Sequence, residues 1–190
     1  MFFYTLQGHA ITPTGALEHV TVEEIAVQLG RIPRWCGATK QFVSVLHHSL
    51  FCARVAEERG HRLDGVISAL CHDFHEAFTG DIPMPFVSNQ IKRLQDNLDR
   101  RIFAVLEIPW VGYDKISSVD AAVRVAEAYE FCAPEAYQHG ALEWGEADAR
   151  VIAAIRDEFN RTGDTTNGLE AYGVRRFLDR YKNLLYRFTV

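Results

Sequence analysis

The chain has 190 residues and a mass of 21.6 kDa, with 48% apolar and 24% charged side chains. That is the size of one ordinary domain and the composition of a globular one, which excludes a disordered tail, a collagen-like chain and a disulfide-stapled miniprotein. Twenty Lys and Arg against 25 Asp and Glu leave a net charge of −5. There is no global basic field, so no nucleic-acid polymer is expected as a partner, while a small anion held by a local group of cations stays open.

No apolar run approaches a membrane span, and no membrane association is expected. The opening residues MFFYTLQGHA carry no basic n-region, so no secretion signal is expected. Cys36, Cys52, Cys71 and Cys132 form no C-x-x-C pair. They show no zinc-ribbon spacing and fit a reduced, cytoplasmic compartment.

The first twenty residues read as irregular or weakly extended, with a turn at Thr12-Pro13-Thr14-Gly15. Thr21 and Glu24 have the spacing of a capping box, flanked by Val20 and Ile25 as a staple, and start a helix that runs to about Leu29. Gly30 and Pro33 then open a loop through Arg34-Trp35-Cys36-Gly37. A helix is predicted over Gln41–Arg59, ended by Gly60. The next is capped by Asp64 and runs to about Phe78, stopped by Thr79-Gly80. Asp81-Ile82-Pro83-Met84-Pro85 is a stiff loop. Ser88–Glu107 is periodic, with Ile91, Leu94, Leu98, Ile102 and Val105 on one side. Further helices are predicted at Lys115–Phe131, Glu146–Asn160 and Leu169–Arg187. Strand alternation is scarce, so the expected class is all-α, a single helical bundle over 1–190. Residues 21–131 would carry the chemistry and 132–190 would complete the bundle.

Three helices carry the residues of interest. Val45, His48, Cys52 and Val55 share one helical stripe, whereas His47 groups with Ser44, Phe51 and Arg54. His48 is thus expected to face the core and His47 to face away. A core histidine is ordinarily just hydrogen-bonded. Cys71-His72-Asp73-Phe74-His75-Glu76 sits inside an apolar helix, where His72, Asp73 and Glu76 crowd one face. Burying those three together is costly unless something such as a divalent cation compensates. Asp120 lines up with Arg124 and Glu127, a pattern that by itself reads as a solvated salt-bridge face. Taken together, two imidazoles and two carboxylates form an N/O set suited to Mn, Fe, Co, Ni or Zn.

This ordering resembles the HD-domain metal-dependent phosphohydrolases, in particular the 5′-deoxynucleotidase-like branch with its phage-encoded members and dATP triphosphohydrolases. The residues that carry the resemblance are Arg34-Trp35, Val45-Leu46-His47-His48-Ser49, His72-Asp73-Phe74-His75-Glu76, Thr79 through Pro85, and Asp120 followed by Glu127. Two departures stand out. His47 occupies the place where members often have Glu, and Pro83-Met84-Pro85 replaces the usual Pro-Thr-Pro.

The resemblance implies an HD-domain bundle in which a divalent metal is held by His48, His72, Asp73 and Asp120. Glu76 would handle the proton of the attacking water or leaving group. Asp81 would bond near the leaving 5′-oxygen, Arg34 would hold a phosphate and Trp35 would lie on the sugar or base. Lys40, Lys92, Arg93 and Lys115 are further cations for a longer polyphosphate. The implied substrate is a deoxynucleotide, either a triphosphate (notably dATP) cut to deoxynucleoside and triphosphate or a monophosphate cut to deoxynucleoside and phosphate. A non-catalytic nucleotide sensor and a guanosine tetraphosphate hydrolase are the alternatives. His9, His19, His61 and His139 fall in turns. The aromatics of Tyr172–Phe188 suit packing or the contact surface of the expected homo-oligomer, and the loop Gly140–Gly145 suits a cover for the site.

Overall fold

The computed structural model describes residues 3–138, 145–162 and 173–190. His139, the segment 140–144, the start expected at Leu169 and Tyr172 all lie outside them. The class is all-α. A minimal antiparallel hairpin, β1 (Phe3–Tyr4) with β2 (Ala10–Ile11), pairs Phe3 with Ile11. Then come α1 (Val22–Leu29), α2 (Val45–Glu58), α3 (Leu63–Cys71), the single turn α4 (Glu76–Thr79), α5 (Asn89–Val105), α6 (Tyr113–Phe131), α7 (Ala149–Thr162) and α8 (Val174–Thr189). The turn at Thr12–Gly15 closes with Gly15 N donating to Thr12 O at 3.2 Å.

Helix α2 is the central element and packs on α3, α6 and α7, while α8 lies against α1 and α3. Its centrality follows from its composition. Val45, Leu46, Leu50, Phe51, Cys52, Ala53, Val55 and Ala56 are all buried, so α2 is apolar nearly all round. Phe51, Phe131 and Phe159 meet from α2, α6 and α7 at centroid distances of 5.1 to 6.4 Å.

Side-chain caps set the starts of α1, α2 and α5. Thr21 Oγ1 accepts from Glu24 N at 3.2 Å, as the spacing predicts. The reciprocal half differs, because Glu24 Oε1 accepts from Gln7 N at 2.8 Å and ties the hairpin to α1. Helix α2 begins at Val45 rather than Gln41. Ser44 caps it, and residues 43–45 pair with the earlier loop through Arg34 N to Val43 O (2.8 Å) and Val45 N to Ile32 O (3.0 Å). Asp64 does not cap α3. Its Oδ1 takes the adjacent Gly65 N, and the N-cap is Arg62. Ser88 caps α5 through Ile91 N.

The helix expected from Asp64 to Phe78 is interrupted. Residues 72–75 form a turn held by i→i−3 bonds, Phe74 N to Cys71 O and Glu76 N to Asp73 O, before α4 resumes and Gly80 ends it at φ 76°. This tighter winding brings His72 and Asp73 round onto the side that faces α2 and α6.

Candidate metal centre

His48 on α2 is wholly enclosed. Its Nδ1 lies 2.9 Å from Glu127 Oε1 of α6. A carboxylate can only accept here, so Nδ1 carries a proton and Nε2 is the nitrogen turned towards the other carboxylates. Burial works against ionising Glu127, but His48 and Arg34 outweigh it and hold the carboxyl below its ordinary range. Nε2 of His48 faces Asp120 Oδ1 at 3.2 Å and Asp73 Oδ2 at 3.6 Å.

His72 repeats the arrangement. Its Nδ1 donates to the Ala69 carbonyl at 2.9 Å, again leaving Nε2 to face the carboxylates. That atom is buried, has no aligned hydrogen bond and sits 3.1 Å from Asp73 Oδ2. Two ring nitrogens and two carboxylates thus converge on one small space, where the carboxylates favour positive charge, either a proton on the rings or a cation between them. The orphaned Nε2 and the donor set both fit a divalent metal held by His48, His72, Asp73 and Asp120. The Glu127–His48 and Ala69–His72 bonds fix the rings as outer partners do in metal sites. Donor atoms of His48, Cys52, His72 and Asp120 lie within 4.8 Å of one another, and so, separately, do those of Asp73, His75 and Glu76.

Glu76 is buried beside this group, and its Oε2 has no partner. Burial first, then the charges of Asp73 and Asp81, push its carboxyl well above the ordinary range. Arg34 is also buried. It donates from Nη1 to Asp81 Oδ2 at 3.0 Å and from Nη2 to Glu127 Oε2 at 3.3 Å. The guanidinium thus locks two carboxylates, one of which orients His48. Trp35 follows it, half-buried, at φ 55°, and Cys36 at φ 51°.

The structure does not draw Lys115 into the cluster. It is exposed and pairs with Asp114 at 3.3 Å, being about 140° round α6 from Asp120. Tyr113, two turns before Asp120 and on its face, donates its hydroxyl to Asp120 Oδ2. Lys92 Nζ lies 5.9 Å from the centroid of the Tyr113 ring.

Two expectations are corrected. His47 does not face away. It is buried, and its Nδ1 accepts from Ser44 N at 3.0 Å in a reciprocal capping box, because the residue three after a cap must fold back on it. Glu127 is not on a solvated face, since α6 is flanked by α2 and α7 and seals it in.

Three residues were not singled out as site residues. Asp99 on α5 accepts from His75 N at 3.1 Å and lies 2.9 Å from His75 Nδ1. Its signal was a carboxylate flanking the apolar stripe at Leu98 and Ile102. Tyr113 had only its seven-residue spacing to Asp120. Cys52 sits 3.5 Å from His48 Nε2.

No family model matches the chain. It is 27% identical over 112 residues to the uncharacterized protein YfdR of Escherichia coli strain K12, across 58% of this chain and 60% of that protein. The chain thus spans less than two thirds of the length of that curated relative. Among solved structures it is similar to the cyanophage S-2L HD phosphohydrolase DatZ bound to dA and one catalytic zinc ion, at a TM-score of 0.48 and 17% identity, over 88% of this chain and 98% of that one.

Proposed function

We propose that this chain is an HD-domain phosphohydrolase that uses a divalent metal to cleave the 5′-phosphate ester of deoxynucleotides. The observation that carries the reading is the convergence of His48 Nε2, His72 Nε2 and the Asp73 and Asp120 carboxylates from α2, the turn after α3 and α6, with both imidazoles fixed by their other nitrogen. The order of these residues along the chain, with Glu76 and Asp81 between Asp73 and Asp120, is that of the family the sequence resembles.

A first-row divalent ion held there supplies a nucleophile at neutral pH and neutralises the charge developing on the phosphoryl oxygens. The remaining chemistry belongs to side chains. Glu76, whose carboxyl burial and acidic neighbours push well above its ordinary range, is the candidate to handle the proton of the attacking water or of the leaving 5′-oxygen. Arg34 maintains positive charge behind the carboxylates and holds Asp81 and Glu127 in position. Trp35 offers an apolar face for the sugar or base. Lys92, over the Tyr113 ring, is the candidate cation for phosphates beyond the first.

Product analysis tests this. The protein is incubated with dATP, dGTP, dAMP and ATP, with Mn or Co and again with chelator, and the products are separated by anion exchange. Triphosphate and deoxynucleoside from dATP identify a triphosphohydrolase. Orthophosphate from dAMP alone identifies a 5′-deoxynucleotidase. Absence of any metal-dependent product from all four overturns the proposal.

A further inference from the structure

Asp120 uses its two carboxylate oxygens differently. Oδ1 faces His48 Nε2 at 3.2 Å, within the donor cluster, while Oδ2 accepts the hydroxyl of Tyr113. Tyr113 is the first residue of α6 and lies seven positions before Asp120, two turns away on the same face. The Asp120 side chain is 13% exposed and Tyr113 is 46% exposed, so the bond runs from the enclosed cluster out to the surface.

The segment that delivers Tyr113 is anchored. Ser68, wholly buried on α3, donates from Oγ to the Pro109 carbonyl at 3.0 Å and accepts from Val111 N at 3.1 Å. Helix α3 is also the element that leads directly into His72 and Asp73. Gly112 follows at φ 93°, where a Cβ would meet Asp114 Oδ1 at 2.7 Å, and α6 starts at the next residue. The helix that supplies two of the metal residues thus also fixes the approach of Tyr113 to a third.

A carboxylate can bind an ion through one oxygen or through both. A hydrogen bond on Oδ2 holds that oxygen back. His48 and His72 are treated in the same way, each tied by a partner on the ring nitrogen turned away from the cluster. We propose that Tyr113 is a positioning residue that confines Asp120 to Oδ1 at the metal and keeps Oδ2 out of the coordination shell. The inference rests on the metal centre proposed above. Holding Asp120 to a single bond leaves coordination room for water and a substrate oxygen, which hydrolysis needs.

Tyr113→Phe tests the hydroxyl alone, since it keeps the ring that Lys92 Nζ approaches to 5.9 Å. Wild type and variant, both full length and freed of metal, are titrated with Co(II) to saturation, with melting curves as a check on folding. Wild type is expected to show visible d–d bands that saturate at one equivalent. In the variant both Asp120 oxygens reach the ion, the coordination number rises by one and the d–d bands weaken. Tyr113→Leu, which loses the ring as well, shows the same weaker bands. At saturating metal, turnover in Tyr113→Phe falls by about 10- to 100-fold. A Tyr113→Phe cobalt spectrum identical to that of wild type overturns the proposal, reduces the bond to a surface contact and leaves the metal centre standing. Absence of d–d bands from the wild-type protein overturns the metal centre itself.

Discussion

Each of the two site imidazoles is tied at Nδ1 to a fixed acceptor, and what remains at Nε2 is the chemistry of the site. Residue-scale tests separate the roles. Asp73→Ala is expected to abolish both metal binding and turnover, since it removes the carboxylate shared by His48 and His72. Glu76→Ala is expected to keep the metal, measured by elemental analysis after dialysis, and to lose turnover. Full activity in either variant overturns the assigned roles. Glu127 acts through His48 and Arg34. Glu127→Gln keeps the shape but weakens the hold on the His48 proton, and an affinity loss of about 10- to 100-fold for zinc is expected. Unchanged zinc affinity would remove Glu127 from the site.

At the scale of an element, α2 shows how a cap couples the site to pH. His47 Nδ1 accepts from the Ser44 backbone and lies 2.9 Å from its hydroxyl, so the ring must be neutral there. Burial pushes its pKa down to about 4. The unfolded chain takes up this proton near pH 6.5 and the folded chain does not, so between about pH 6.5 and 4 the unfolded state binds more protons. Stability is therefore full above pH 6.5 and falls as the pH drops, by up to about 3 kcal/mol at pH 4. Urea melts in chelator should show that slope. His47→Gln keeps a capping residue at the third position, removes the titration and should flatten the slope. An unchanged slope would place the acid sensitivity elsewhere. The interrupted helix at 72–75 is the second device of this scale, since its tighter turn aims His72 and Asp73 together and leaves His75 tied to Asp99 on α5.

Across the molecule, the carboxylate of Glu158 on α7 is wholly buried, and Arg176 of α8 binds it with two bonds of 2.6 and 2.8 Å. Arg180 adds a contact at 3.6 Å and reaches Glu57 of α2 at 2.7 Å. This network joins the last two helices to the central one. Removing Glu158 leaves Arg176 able to reach water and Arg180 still paired with Glu57. Glu158→Ala is therefore expected to cost about 1–3 kcal/mol in urea unfolding, while one equivalent of metal still binds. A cost below about 1 kcal/mol would show that the network carries little of the assembly. Among the described residues, no helix is long and apolar enough to cross a membrane.

The order of residues alone determined the helical class, because 3.6-residue stripes and caps such as Thr21 and Ser88 are local. It also singled out His48, His72, Asp73 and Glu76, since apolar helices rarely carry such groups together, and the resemblance added the roles expected of Asp81 and Asp120. Lys115 shows the limit of proximity in sequence, as five residues along a helix turn it away from Asp120. Tertiary structure decided the rest. Whether the 120–127 stripe faced water or protein depended on α2 and α7 covering it. The pairing of Arg34 with Glu127 spans 93 residues, and no local pattern encodes a contact made only when separate helices pack. The same holds for Asp99 beneath His75. The proton positions on His48 and His72 follow from Glu127 and Ala69, and so they too were settled by packing.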